Sequence, residues 1–225
     1  MKRFRFVLIN DLKAYMEDKA IVRINLLYLA ILFVVALVGW PGGAPFDFQR
    51  PYVFLAITYA QIILLSYIGG RLAVRSSSVG DIKVADWLKY TPLSPVEIAL
   101  GKLLAIFLCL LLMFSSSLPL LILCYFIGGV SLKASLTVYC LLPIFFISFI
   151  SFGLLFSLVS RDFSVFILNL SSFLFVLGLF LSRTGWRNLF YLNPRFVLFI
   201  LVLSTFAFSA FIRDLRRRKK LAYED

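Results

Sequence analysis

The side chains of this chain that could do chemistry are few, and they fall in two places. Uncharged polar residues stand inside long apolar stretches, among them Gln61, Asn169 and Ser172. An amide side chain both donates and accepts hydrogen bonds, and burying it without partners is costly. We therefore predict that Gln61, Asn169 and Ser172 line a path for a transported molecule. Polar side chains also commonly join helices inside membranes, and this alternative stays open for all three.

A second set of residues lies between two apolar stretches and mixes charged, aromatic and helix-capping types. Val84, Trp87 and Leu88 recur at helical spacing, which predicts a short amphipathic helix. Ser94-Pro-Val-Glu97 has the pattern of a capping box with proline at the first helical position. The set comprises Lys83, Asp86, Trp87, Leu88, Lys89, Ser94 and Glu97.

Several kinds of chemistry are excluded by what the sequence lacks. It contains no histidine, so histidine-dependent hydrolases and the common zinc proteases are excluded. Gly101-Lys102 is followed by Leu103 and does not form a phosphate-binding loop. No carboxylate lies deep in an apolar stretch, where ion-coupled transporters usually carry one. We predict no catalytic residue, no metal site and no cofactor, and therefore not an enzyme.

The composition is that of an integral membrane protein. Hydrophobic residues make up 62% of the 225 residues and charged residues 15%, and a soluble domain could not cover so much apolar surface. A helix needs about 20 mainly apolar residues to cross the hydrocarbon core. We predict an all-α, polytopic fold with six spans: Ile21 to Trp40, Tyr52 to Leu72, Leu103 to Phe126, Ala134 to Val159, Ser164 to Ser182, and Phe196 to Ile212.

The distribution of Lys and Arg predicts the orientation. Eighteen of the 23 basic residues fall on the side that holds both termini, and basic residues concentrate on the cytoplasmic side. We therefore predict that the N and C termini are cytoplasmic. The net charge of +12 then reflects contact with anionic lipid headgroups, and nucleic acid is not an expected partner.

The spans are flanked by two cytoplasmic segments. Phe4, Leu8, Leu12 and Tyr15 share one helix face, so residues 1–20 are predicted to form an amphipathic interfacial helix. Residues 21–212 form the transmembrane domain, with a cytoplasmic loop over 73–101. Residues 213–225 form a basic tail that anchors to lipid.

One stretch resembles a known family. Trp87-Leu-Lys-Tyr-Thr-Pro-Leu-Ser-Pro-Val-Glu-Ile-Ala-Leu-Gly-Lys-Leu-Leu104 is similar to the segment before the third span in ABC transporter permeases of the type-2 exporter class. Gly153-Leu-Leu-Phe-Ser-Leu-Val159 resembles the end of the fourth span of that family. Tyr191-Leu-Asn-Pro194 is similar to its short outer motif before the last span.

The resemblance implies a function and partners. Two permease subunits, identical or different, would form the membrane unit, and separate ATPase subunits would supply the energy. The helix over residues 81–90 would be the coupling helix, with Trp87 as its anchor and Lys83, Asp86, Leu88 and Lys89 around it. The exported substrate would be hydrophobic or amphiphilic, and the protein would lie in the cytoplasmic membrane of a prokaryote.

Two other classes of function are consistent with the composition. One is a secondary transporter or channel, which the lack of charge inside the spans disfavours. The other is a non-transporting membrane protein that serves in assembly or immunity. A neighbouring gene that encodes an ATPase would distinguish the permease from both.

The predicted orientation can be tested with reporter fusions. An enzyme that is active only outside the cytoplasm should be active when fused after Ala44 or Gly185, because these loops carry few basic residues. The same enzyme should be silent after Gly80 or Lys220. Activity after Gly80 would contradict the orientation.

Overall fold

The computed structural model describes residues 2–38, 52–77, 94–128, 132–156 and 194–224, which are helical except at Asp18 and Ser94. The fifth predicted span and residues 81–90 lie outside the described residues. Six helices occupy the described part of the chain: α1 Lys2–Glu17, α2 Lys19–Val38, α3 Tyr52–Ser77, α4 Pro95–Gly128, α5 Leu132–Phe156 and α6 Pro194–Glu224.

Three helices are long and apolar enough to cross a membrane. The qualifying stretches are Lys19–Val38 in α2, Ala56–Ser76 in α3 and Pro95–Leu123 in α4, and α5 contains a shorter apolar stretch, Leu142–Leu155. These helices indicate a membrane-embedded protein, as the composition predicts. Predicted spans two, three and six lie within α3, α4 and α6, and predicted spans one and four overlap α2 and α5. The number of crossings and their orientation stay predictions.

The break between α1 and α2 occurs at Asp18. Its side-chain Oδ1 accepts a hydrogen bond from the Ala20 amide at 2.8 Å. Its carbonyl oxygen accepts one from Ile21 at 2.9 Å and one from Val22 at 3.2 Å. Asp18 therefore caps the N-terminus of α2, where an acidic side chain is favourable because the amides there lack partners within the helix.

Helix α3 lies at the centre of the described bundle and packs against α2, α4 and α5. In its most apolar stretch 67% of the residues are buried, compared with 22% in α2. Helix α2 turns side chains such as Leu26, Phe33 and Leu37 outward, as a lipid-facing helix does. Helix α2 is thus the peripheral member of the three apolar helices, and α3 is the most deeply buried of them.

Helices α3 and α5 approach each other through glycine. A Cβ atom added at Gly153 would lie 2.7 Å from the carbonyl oxygen and 2.9 Å from the Cα of Gly70, and 2.8 Å from the Cβ of Ala73. Small residues allow such close backbone approach, which is a common way for membrane helices to associate. The resulting crossing fixes the distance between these two helices.

Helix α4 is the longest element, at 34 residues, or about 51 Å. The hydrocarbon core of a bilayer is only about 30 Å thick, so α4 extends past it. Pro119 lies inside the helix without ending it, and Phe114 packs its ring against those of Tyr139 and Phe146 on α5.

The glycine crossing can be tested by comparing two Gly→Ala substitutions. Gly153→Ala should destabilise the protein by roughly 1–3 kcal/mol, because the new methyl group meets backbone atoms that cannot rotate away. Gly69→Ala is the matched control, since its nearest neighbour is the end of the Leu110 side chain. Thermal unfolding in detergent, followed by size-exclusion chromatography, measures both. Equal effects would show that the crossing has room to adjust.

Candidate functional site

Three polar side chains meet inside the bundle, one from each apolar helix. The Tyr28 hydroxyl on α2 donates to Ser117 Oγ on α4 at 3.0 Å, and Gln61 Nε2 on α3 donates to the same oxygen at 2.8 Å. Ser117 in turn donates to the Phe114 carbonyl at 2.7 Å. Tyr28, Gln61 and Ser117 are at most 1% exposed. We call these three residues the polar triad.

The hydroxyl of Ser117 uses its whole hydrogen-bonding capacity. It donates one bond and accepts two, which is the full capacity of a serine side chain. Each apolar helix therefore contributes one member to a connected network. Because α2 has few other buried residues, the Tyr28 contact is a specific attachment of that helix to the bundle.

One polar atom of the triad has no partner. The Gln61 side-chain oxygen Oε1 is buried and accepts no hydrogen bond among the residues that the structure describes. A buried unsatisfied polar group destabilises a fold by about 1–3 kcal/mol. Such a group calls for an explanation, and a bound water or ion is one of those that apply to native structures.

A second polar pair lies next to the triad and at the surface. Ser116 Oγ lies 3.4 Å from Asn25 Oδ1 across the same α2–α4 boundary, while its hydroxyl donates to the Met113 carbonyl of its own helix at 2.6 Å. Ser116 is exposed and Asn25 is half-buried. Asn25 is one helical turn before Tyr28, and Ser116 directly precedes Ser117, so the surface pair adjoins the triad in both helices.

Charged side chains cluster where α1, α3 and α4 meet. Lys102 on α4 is only 8% exposed, and its ammonium donates to the Ser76 carbonyl on α3. Burial raises the pKa of the Asp11 carboxyl, and the nearby Lys102 charge offsets part of that shift. Burial likewise raises the pKa of the Tyr15 phenol, and the nearby Ser76 offsets part of that shift. We call Asp11, Tyr15, Asp18, Arg75, Ser76 and Lys102 the charged end of the bundle.

An ion pair completes the charged end. Arg75 on α3 contacts Asp18 Oδ2 at 2.9 Å, with the Arg75 side chain 55% exposed and that of Asp18 26% exposed. A pair this accessible to solvent contributes little to stability. The ion pair does have a geometric role. Asp18 lies at the junction of α1 and α2, so its contact with Arg75 attaches that junction to α3.

The two polar contacts between α3 and α4 are the same number of residues apart in both helices. Fifteen residues separate Gln61 from Ser76 in α3, and fifteen separate Lys102 from Ser117 in α4. The two helices thus run antiparallel, with the triad about 22 Å from the charged end. One set of contacts lies inside the apolar part of the bundle and the other at its boundary.

No protein-family model, curated protein or solved structure matches this chain.

The predicted capping box is confirmed by the structure. The Glu97 amide donates to Ser94 Oγ at 3.2 Å, and the Ser94 amide donates to Glu97 Oε2 at 2.9 Å. Gln61, predicted to line a path, is fully buried in the triad, and its role in transport stays a prediction. The other predicted site residues, Lys83, Asp86, Trp87, Leu88, Lys89, Asn169 and Ser172, lie outside the described residues.

Sequence reasoning missed the partners of these residues. It considered Lys102 as part of the Gly101-Lys102 pair, and the structure buries its ammonium against the Ser76 carbonyl. It grouped Leu8, Leu12 and Tyr15 on one face of α1, and the structure adds Asp11 to the partly buried side. The sequence contained a signal for this arrangement, because Asp11 lies one helical turn before Tyr15 on an otherwise apolar face.

The polar triad can be tested through its shared member. Ser117→Ala removes the group to which Tyr28 and Gln61 both donate, so we expect a loss of roughly 1–2 kcal/mol of stability. Ser115→Ala is the matched control, because Ser115 is exposed and donates only to the Leu111 carbonyl of its own helix at 2.8 Å. Unfolding by detergent titration measures both variants. A Ser117 variant as stable as the control would mean that the triad does not hold α2.

Proposed function

We propose that this chain is the membrane-spanning permease subunit of an ABC transporter of the type-2 exporter class. It works with a second permease subunit, identical or different, and with ATPase subunits that hydrolyse the nucleotide. The chain carries no ATP-binding motif of its own. The transported molecule is hydrophobic or amphiphilic, and its path includes Gln61, Asn169 and Ser172.

The observation that carries this proposal is the uninterrupted course of α4. The helix starts at a capping box directly after residues 78–93. It then continues without a break for 22 residues from Pro95 to Ser117 of the triad, a distance of about 33 Å. A capped helix resists fraying at its first turn. A displacement of α4 at Pro95 is therefore transmitted along the helix to Ser117 in the interior of the bundle.

The charged end supports the same mechanism. Near its start, α4 is attached to α3 through Lys102 and Ser76. It is also packed closely against α1, where a Cβ added at Gly101 would lie 2.8 Å from Val7. A displacement of the first turns of α4 must then move α1 and α3 as well. An ATPase that acts on one segment could in this way tilt several helices together.

The proposal includes six spans with both termini in the cytoplasm of a prokaryotic cell. This orientation puts the charged end and the segment 78–93 on the cytoplasmic side, where an ATPase is found. It also brings the basic residues of α6, such as Arg213 and Arg216, to the anionic inner leaflet. The α3 helix continues to Ser77 and α4 begins at Pro95, so both ends of the predicted cytoplasmic loop 73–101 are helical.

The contact with the ATPase can be tested at Trp87. Trp87→Ala should reduce copurification with the ATPase encoded beside this chain by at least tenfold, because a large aromatic side chain dominates a contact when it fills a partner's pocket. Pull-down from detergent-solubilised membranes measures the loss. Total permease in the membrane fraction should stay unchanged.

Trp40→Ala provides the matched control, since it is the same substitution at the predicted opposite side of the membrane. The control should keep full copurification. Equal copurification of the wild type and the Trp87 variant, in a preparation where the ATPase does bind, would show that the segment 78–93 is only a tether. Absence of any ATPase partner would count against the permease itself.

A further inference from the structure

We propose that Gln61 Oε1 is an acceptor for the hydrogen-bond donor of an uncharged amphiphile that enters from the bilayer between α2 and α4. This inference deepens the proposed function, since such a contact would select the transported molecule. The observation behind it is the Gln61 side-chain oxygen, which lacks a hydrogen-bond partner among the described residues. Gln61 is fully buried, and its Oε1 has no partner among the described residues, although Nε2 is well bonded to Ser117.

The neighbouring polar groups connect this oxygen with the lipid-facing surface. Asn25 and Ser116 form the outer pair at the α2–α4 boundary, and Tyr28 and Ser117 are the next polar groups inward. Gln61 lies behind them on α3, bonded to Ser117. A polar head that leaves the lipid at Asn25 would therefore find hydrogen-bonding groups at each step toward Gln61.

Helix α2 is the element whose movement opens this route. Only 22% of its apolar stretch is buried, compared with 39% in α4 and 67% in α3. Among the described residues, its polar contacts with α4 in the apolar part are the Tyr28–Ser117 hydrogen bond and the longer Asn25–Ser116 contact. A ligand that replaces these contacts compensates for their loss, so α2 can move aside without leaving polar groups unpaired.

The chemistry of the site defines the class of ligand. An amide oxygen only accepts, so the ligand must bring an O–H or N–H donor. The triad contains no charged group, and burying an ion in such a place is strongly unfavourable. Alcohols and amides with a long apolar tail meet both requirements. Carboxylates and phosphates carry charge at neutral pH, so the cost of burying that charge excludes them.

A matched pair of probes tests the proposal on the purified chain in lipid nanodiscs, without any ATPase. One probe is a long-chain alcohol with a photoreactive diazirine near the hydroxyl, and the other is its methyl ether. Labelled peptides are quantified by mass spectrometry after illumination. We expect the alcohol to label peptides that contain Tyr28, Gln61 or Ser117 about two- to tenfold more than the ether, which is the range that one net hydrogen bond supplies.

Gln61→Met should abolish this preference, because it keeps the size of the side chain but removes the acceptor. Ser115→Ala is the control and should keep it. Equal labelling by both probes in the wild type would overturn the inference without any variant, as would a preference that survives in Gln61→Met. Either result would leave Gln61 as a helix–helix contact. ATPase copurification is independent of this measurement, so the permease assignment and the ligand site can fail separately.

Discussion

Hydrocarbon offers no hydrogen-bond partners, and this constraint governs how α3 and α4 pack. Each helix carries polar groups that the bilayer cannot satisfy, so the protein must pair them internally. Gln61 meets Ser117 and the Ser76 carbonyl meets Lys102. Because equal numbers of residues separate these contacts in the two helices, one antiparallel register satisfies both. A shift of α4 by one turn would leave an amide and an ammonium without their partners.

The other helices are arranged around this pair. Helix α5 approaches α3 at the Gly70–Gly153 crossing, which requires no polar contact because it depends on the absence of side chains. Helix α1 covers the buried lysine and contributes Asp11 and Tyr15 to the charged end. Helix α2 is attached at its start through Asp18 and Arg75, and further along through Tyr28. The bundle thus combines a tightly packed centre with a helix at its margin that is held by a few specific contacts.

Local features of this fold were predictable from the sequence, while contacts between distant residues were not. Apolar runs predicted the positions of α2 to α4, and Ser94 and Glu97 predicted the cap of α4, because these signals depend on neighbouring residues. The partner of Lys102 could not be predicted, since it is a backbone carbonyl 26 residues away. Ser117 was recognisable as a polar residue in a span, but its meeting with Tyr28 depends on how three helices are placed.

The triad is uncharged, which is consistent with a protein whose movement is driven by a partner outside the membrane. A carboxylate or ammonium at the position of Gln61 would couple the site to protons or ions, and it would require a buried counter-charge. An amide costs less to bury and can leave one atom unpaired, as the Gln61 oxygen shows. In the permease that we propose, the energy for movement arrives mechanically from the ATPase. Helix α4 is suited to deliver it, because the same unbroken helix carries Glu97 of the cap, Lys102 of the charged end and Ser117 of the triad.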